Sequence, residues 1–175
     1  MALHDTILTE VGASLERSGL NQDKLVELLS QHERIFLAGA GRSGLVARFF
    51  AMRLMHLGKE VNIVGDTTAT AIASGDLLVV ISRSGSSAAL AEICRKASTI
   101  PGTVLVAVTS EPNSKVGRCC HMASIVDAPP ASMVMPLGTG FELTALIHLE
   151  AVIAALAARN GVTQEVMQDR HANLE

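Results

Sequence analysis

From Arg34 onward the chain repeats one pattern: a short apolar run ending in Gly, Ser, Thr or Pro, followed in several cases by a longer stretch with helical spacing. The runs are "RIFLA", "EVNIVG", "DLLVVIS", "TVLVAVTS" and "MASIVDAP". Strands this uniformly apolar are buried on both faces, which a parallel sheet wrapped by helices provides. "GLVARFFAMRLMHLG", "AALAEICRKASTI" and the long "FELTALIHLEAVIAALAAR", ended by Asn160-Gly161, supply helices for such a fold.

Ahead of this pattern, Ile7, Leu8, Val11 and Leu15 recur at helical spacing, and Leu25, Val26, Leu28 and Leu29 follow the breaker Gly19 and the capping-type residue Asn21. Two N-terminal helices are therefore expected within residues 1–32, and a short polar tail over 163–175. A length of 175 residues with 49% hydrophobic content suits one domain, 1–175, with a full core. Within "RFFAMRLMHL" the apolar residues Phe49, Phe50, Met52, Leu54, Met55 and Leu57 occupy nearly every side. Such a helix is expected to bury one side on the sheet and another on a partner subunit.

Composition narrows the ligands. A net charge of −3 and 2% aromatic content leave neither a basic stripe nor a stacking platform, which argues against nucleic acid. Cys94, Cys119 and Cys120 lack C-x-x-C spacing and no histidine completes a zinc pattern with them, so free thiols and no metal site are expected. The N-terminal residues carry no basic segment leading into an apolar one, and no run is read as approaching the roughly 18 residues that span a bilayer. The expectation is a soluble, cytoplasmic protein with no membrane partner.

In a parallel sheet, ligands collect at the carboxyl ends of the strands. Two loops there stand out: "GAGRSG" at 39–44, which spells G-x-G-x-x-G, and "SRSGSS" at 82–87. Both open helices, where unpaired N–H groups favour an anion and glycine admits close approach. A dinucleotide would use the first loop and an acidic residue about 20 positions on, a place Asp66 roughly fills. That reading leaves four serines in one turn unexplained; a single phosphate accounts for them better. Ser43, Ser86 and Ser87 also have a plainer use as helix caps.

These loops, with "FAMRLMHLG", "VGDTTAT", "MPLGTGFELTALIHLEAVI" and "RHANLE" in the same order, make the chain resemble the sugar isomerase (SIS) domain family and, within it, the 6-phospho-3-hexuloisomerases. The resemblance implies an α/β fold, a three-layer αβα sandwich on a five-stranded parallel sheet of the flavodoxin-like or Rossmann-like kind. It further implies a homotetramer, a dimer of dimers, with active sites near subunit contacts. The implied reaction converts D-arabino-hex-3-ulose 6-phosphate reversibly into fructose 6-phosphate, in the ribulose monophosphate route for formaldehyde. Neither metal nor nucleotide cofactor is implied. Ser43, Ser82, Ser84 and Ser87 match positions that hold the sugar phosphate, with Gly41 and Gly85 giving backbone access. The serine loop departs from its relatives at Arg83, where they carry Gly, and at Ser87, where they carry Thr.

Moving a carbonyl to the adjacent carbon needs a base that takes an α-proton and returns it through a cis-enediol. Glu142 matches the family's base, although Thr139-Gly140-Phe141-Glu142 also reads as a T-x-x-E capping box. His171, in the tail, is a second catalytic candidate that would act in a neighbouring subunit's site. Arg42 would steady the enediolate, and Thr67 and Thr68 would bond substrate hydroxyls. His148, mid-helix among apolar residues, reads as a buried core histidine, and His56 is open to either role. Two rivals share the fold: a pentose or heptose phosphate isomerase, and a non-catalytic sugar-phosphate sensor. The N-terminal segment, with Asp5, Glu10 and Glu16, is too short and too acidic for a sensor's DNA-binding domain.

Overall fold

A computed structural model describes residues 2–174. Helices α1 (Leu3–Arg17) and α2 (Gln22–Gln31) precede β1 (Arg34–Gly39), α3 (Arg42–His56), β2 (Glu60–Ile63), β3 (Leu77–Ile81), α4 (Ala88–Ser98), β4 (Val104–Thr109), β5 (Met122–Ile125), α5 (Thr139–Asn160) and α6 (Gln164–Asp169). Every apolar run became a strand. All pairings are parallel and the order is β2-β1-β3-β4-β5.

The strands alternate between two cores, as a period of two requires. Ile35 and Leu37 of β1 face α2, α3 and α5, which contribute Leu25, Leu29, Phe50, Leu54, Phe141 and Leu149. Phe36 and Ala38 face the other way, onto Leu90, Cys94 and Ala97 of α4. Each fully buried leucine, isoleucine or phenylalanine among these stabilises the fold by about 1.5–3 kcal/mol. β3 is central and all five of its residues are buried.

The outer layers are unequal. α3 carries the crossover from β1 to β2 and α4 the one from β3 to β4, whereas β2 joins β3 through residues 64–76 without a helix and β4 joins β5 through a single 3-10 turn, Gly117–Cys119. At the foot of the sheet Arg34 grips Asp76 with Nε and Nη2, at 2.8 and 2.7 Å, and the Ala73 amide donates to the same carboxylate at 2.6 Å. This pair ties the start of β1 to the start of β3.

Two expectations need correction. The run through Pro136–Asn160 is long and apolar enough to cross a membrane by length and composition, with a mean hydropathy of 1.7. Its hydrophobicity has another use, because α5 packs against α1, α2 and α3 while covering the sheet. The tail is not wholly irregular either: Thr163 caps α6, its Oγ1 accepting from the Val166 amide, and Met167 packs on the core. Glu175 lies outside the described residues.

Candidate active site at the carboxyl edge of the sheet

In the order 2-1-3-4-5 the winding direction reverses between β1 and β3, and the crevice above that reversal is where open parallel sheets bind ligands. The register sets Gly39 opposite Ile81, so the two glycine-bearing loops leave neighbouring strands at the same level. A Cβ on Gly39 would meet the Ser43 carbonyl at 2.7 Å, which is why α3 can start so close to β1. Gly41 has φ 57° and ψ −133°, a conformation open to glycine almost alone, and nothing lies within 4 Å of where its Cβ would be.

Glu142 stands in the first turn of α5 and is 9% exposed. Its Oε1 accepts from Ser43 Oγ at 3.0 Å and its Oε2 from Arg42 Nε at 3.2 Å. A carboxylate this buried is costly unless paired, and a guanidinium with a hydroxyl supplies the pairing. Lone pairs remain on both oxygens for a proton. The same Arg42 donates from Nη2 to the Leu137 carbonyl at 2.7 Å. Leu137 has φ 57°, a strained left-handed conformation for a leucine, and Gly138 follows at φ 77°.

The capping-box alternative for Glu142 is not realised. α5 begins one residue too early for it, with Gly138 as the cap, so Glu142 falls beyond the third helical position and its carboxylate goes to α3 instead. Thr139 Oγ1 donates to the Pro136 carbonyl.

The serine loop is built differently. Gly85 has φ 55°, and a Cβ there would lie 1.9 Å from Ser114 Oγ, so only glycine fits the turn. Ser87 caps α4 by accepting from the Leu90 amide at 3.3 Å. Ser84 and Ser86 are exposed and share one hydrogen bond of 2.8 Å between their hydroxyls. Ser82 is buried at the end of β3. A cleft of about 770 Å³ adjoins the loop at Ser84 and Ser86, with Lys115 and Arg118 on its wall, and Glu142 does not line it. Arg83 turns the other way: its side chain lies against Gly138, where a Cβ would sit 2.9 Å from Nε and 3.0 Å from Cζ.

The remaining candidates are scattered. Thr67 and Thr68 are exposed just past β2. Asp66 is held by Arg48 through two hydrogen bonds, which keep its carboxyl below the ordinary range. His171 stacks on His56 with ring centroids 5.3 Å apart, and Arg170 donates to the His56 carbonyl at 3.1 Å. That is the C-terminal end of α3, about 21 Å from Arg42 at 1.5 Å per residue. Burial, then the charge of Arg53, then His171 push the His56 imidazole down. His148 is buried as expected, with Nε2 3.3 Å from Ser124 Oγ, and desolvation lowers its pKa. Two contributors carry no sequence signal: the Leu137 carbonyl, fixed by a positive φ, and Ser114, which shapes Gly85 from behind.

A doubly wound sheet with a buried carboxylate and a serine-rich turn at its switch point defines a class of phosphate-directed α/β proteins. The SIS domain model matches residues 28–153. The chain is 40% identical over 158 residues to the 3-hexulose-6-phosphate isomerase of Methylomonas aminofaciens, covering 87% of each, and 37% identical over 160 residues to that of Bacillus subtilis, covering 87% of this chain and 86% of the relative. Its fold superposes with a TM-score of 0.82 on a hypothetical protein from Methanococcus jannaschii, at 36% identity over 89% of this chain and 86% of that one; that structure was taken to infer a function of 3-hexulose-6-phosphate isomerase. The chain belongs to the SIS domain family.

Proposed function

We propose that the protein is a sugar-phosphate isomerase that interconverts D-arabino-hex-3-ulose 6-phosphate and fructose 6-phosphate. The observation that carries this reading is the Glu142 carboxylate, buried yet held by only two donors, Arg42 and Ser43, beside the crevice that the serine loop borders. The relatives named for the same reaction support it.

In this reading the phosphate lies at the start of α4, against the hydroxyls of Ser82, Ser84 and Ser87 and the N–H groups that Gly41 and Gly85 leave accessible. The phosphate anchors one end of the substrate; Glu142 works at the other. With the carbonyl at C3, Glu142 takes the proton from C2, the electrons move to O3, and a cis-enediolate forms. The O2 proton passes to O3 within the enediolate, and the protonated Glu142 returns its proton to C3 as the carbonyl forms at C2. Arg42, already beside the carboxylate, lies where its charge would stabilise the enediolate oxygens. Thr67 and Thr68 would hold sugar hydroxyls from the β2 side.

His171 enters only from a second chain, since in its own chain it lies at the far end of α3. An assembly of the homotetrameric kind, a dimer of dimers, is supported by the outward apolar residues of α3 and α5: Leu45 is 68% exposed, and Met52 and Ile147 are exposed as well. A cytoplasmic enzyme of the ribulose monophosphate route is the corresponding setting.

The test is turnover of enzymatically generated D-arabino-hex-3-ulose 6-phosphate, compared with arabinose 5-phosphate and ribulose 5-phosphate. Conversion of the hexulose phosphate alone is expected. Binding of fructose 6-phosphate without any turnover would sink the proposal.

A further inference from the structure

Of the two cations in the glycine-bearing loops, Arg42 is bound to Glu142, and Arg83 forms no ion pair among the described residues. Its backbone is nonetheless among the most firmly held in the loop. The Arg83 carbonyl accepts from Thr109 Oγ1 at 3.0 Å, from Ser110 Oγ at 2.9 Å and from the Ser110 amide at 3.2 Å. A long cationic side chain thus springs from a fixed root between Ser82 and Ser84.

Its resting place is informative. The guanidinium covers Gly138, the N-cap of α5, which lacks any side-chain cap of its own. The positive end of a helix is a poor neighbour for a cation, so this position gives Arg83 a packing surface and no electrostatic partner. The one carboxylate in that first turn, Glu142, already accepts from Arg42. The hydroxyls of the serine loop are neutral donors, and a phosphate monoester is a dianion. Arg83 lies between Ser82 and Ser84 in the chain, so its Cα stands about 3.8 Å from each of theirs, less than the length of an arginine side chain.

We propose that Arg83 is a substrate-binding residue that leaves Gly138 to place its guanidinium on the phosphate of the bound sugar phosphate. The assignment rests on the serine loop being the phosphate site, as in the function proposed above. It gives the turn itself a cation, beside the Lys115 and Arg118 of the adjoining cleft wall, where a glycine at the same place would leave only hydroxyls and N–H groups in the turn. A guanidinium suits the task because its planar fork donates to two phosphate oxygens at once.

The test measures binding of inorganic phosphate by calorimetry, and KM and kcat for the hexulose phosphate, in wild type, Arg83→Met, Arg83→Lys and Ser84→Ala. Methionine keeps a stem that can cover Gly138 and removes only the charge. In Arg83→Met the Kd for phosphate and the KM are expected to rise together by roughly tenfold, as for loss of a charge-assisted pair, with kcat within about threefold. Arg83→Lys should recover part of the loss, and the salt dependence of phosphate binding should flatten in Arg83→Met. Unchanged phosphate affinity in Arg83→Met, with Ser84→Ala weakened, overturns the proposal and leaves the isomerase reading standing. A fall in kcat alone also overturns it, because that result marks a residue that merely supports the Gly138 turn. Arg83-dependent phosphate binding in a wild type that turns over no hexulose phosphate supports it, while removing the isomerase reading.

Discussion

The loops at 39–44 and 82–87 leave adjacent strands at one level and open helices with the same glycine chemistry, yet their polar groups point to different ends. In the first, Arg42 and Ser43 turn onto Glu142. In the second, Ser84 and Ser86 bond only to each other and remain exposed. The start of α3 thus turns its side chains onto a carboxylate of α5, whereas the start of α4 is capped by Ser87 and keeps the hydroxyls of Ser84 and Ser86 exposed. A G-x-G-x-x-G sequence therefore reports how closely a helix approaches a strand and says little about the ligand. Here the motif brings Arg42 and Ser43 onto the Glu142 carboxylate.

The contrast can be broken most severely at the carboxylate. Glu142→Gln is expected to lower kcat by at least about 10²–10⁴-fold, the usual contribution of a positioned base, with the calorimetric affinity for fructose 6-phosphate little changed. Retained turnover would remove Glu142 from the mechanism. Ser43→Ala separates the two assignments for that hydroxyl. If it orients Glu142, kcat falls by roughly tenfold at constant KM, as for a lost hydrogen bond to a charged group; a rise in KM at constant kcat would move Ser43 to the phosphate. On the outward loop, Ser84→Ala should raise KM by about threefold to tenfold through loss of one hydrogen bond, with kcat intact.

The smallest effect lies outside both loops. Burial holds the His148 imidazole below its ordinary value of 6.5 in the native state. As pH falls below 6.5 the unfolded chain takes up a proton that the native state refuses, so stability declines with falling pH. Urea midpoints at pH 7.5 and 5.5 should show this decline, and His148→Phe should lessen it; His56, shifted in the same direction, keeps it from vanishing. An unaltered slope in the variant would show that His148 does not titrate as its burial demands.

The sheet was legible because its strands are continuous apolar runs, and the helices because their periodicity spans several turns. α6 was not: Val166 and Met167 are its only large apolar residues, too few for a periodic signal. The membrane-length apolar run in α5 was passed over because packing on several sides and immersion in lipid demand the same composition. Within the site, the residue types were readable and their partners were not. Ser43 and Glu142 are 99 positions apart, and nothing local distinguishes a hydroxyl facing a ligand from one facing a carboxylate. The T-x-x-E motif misled because Gly138, at a positive φ, took the cap one position early. Asp66 has the spacing of a ribose acceptor, but the turn of α3 that carries Arg48 lies over it.

The Arg34–Asp76 clasp bears on how the crevice can breathe. It pins β1 to β3 at their amino ends, directly beneath the point where the winding reverses. Above the clasp the two strands stay paired residue for residue, from Ile35 opposite Leu77 up to their tips. Those tips are Gly39 and Ile81, from which the loop that holds Glu142 and the serine turn emerge. The floor of the crevice is therefore a closed ladder, and accommodating a ligand falls to the loops that leave it, while the aliphatic layers below stay shut to water.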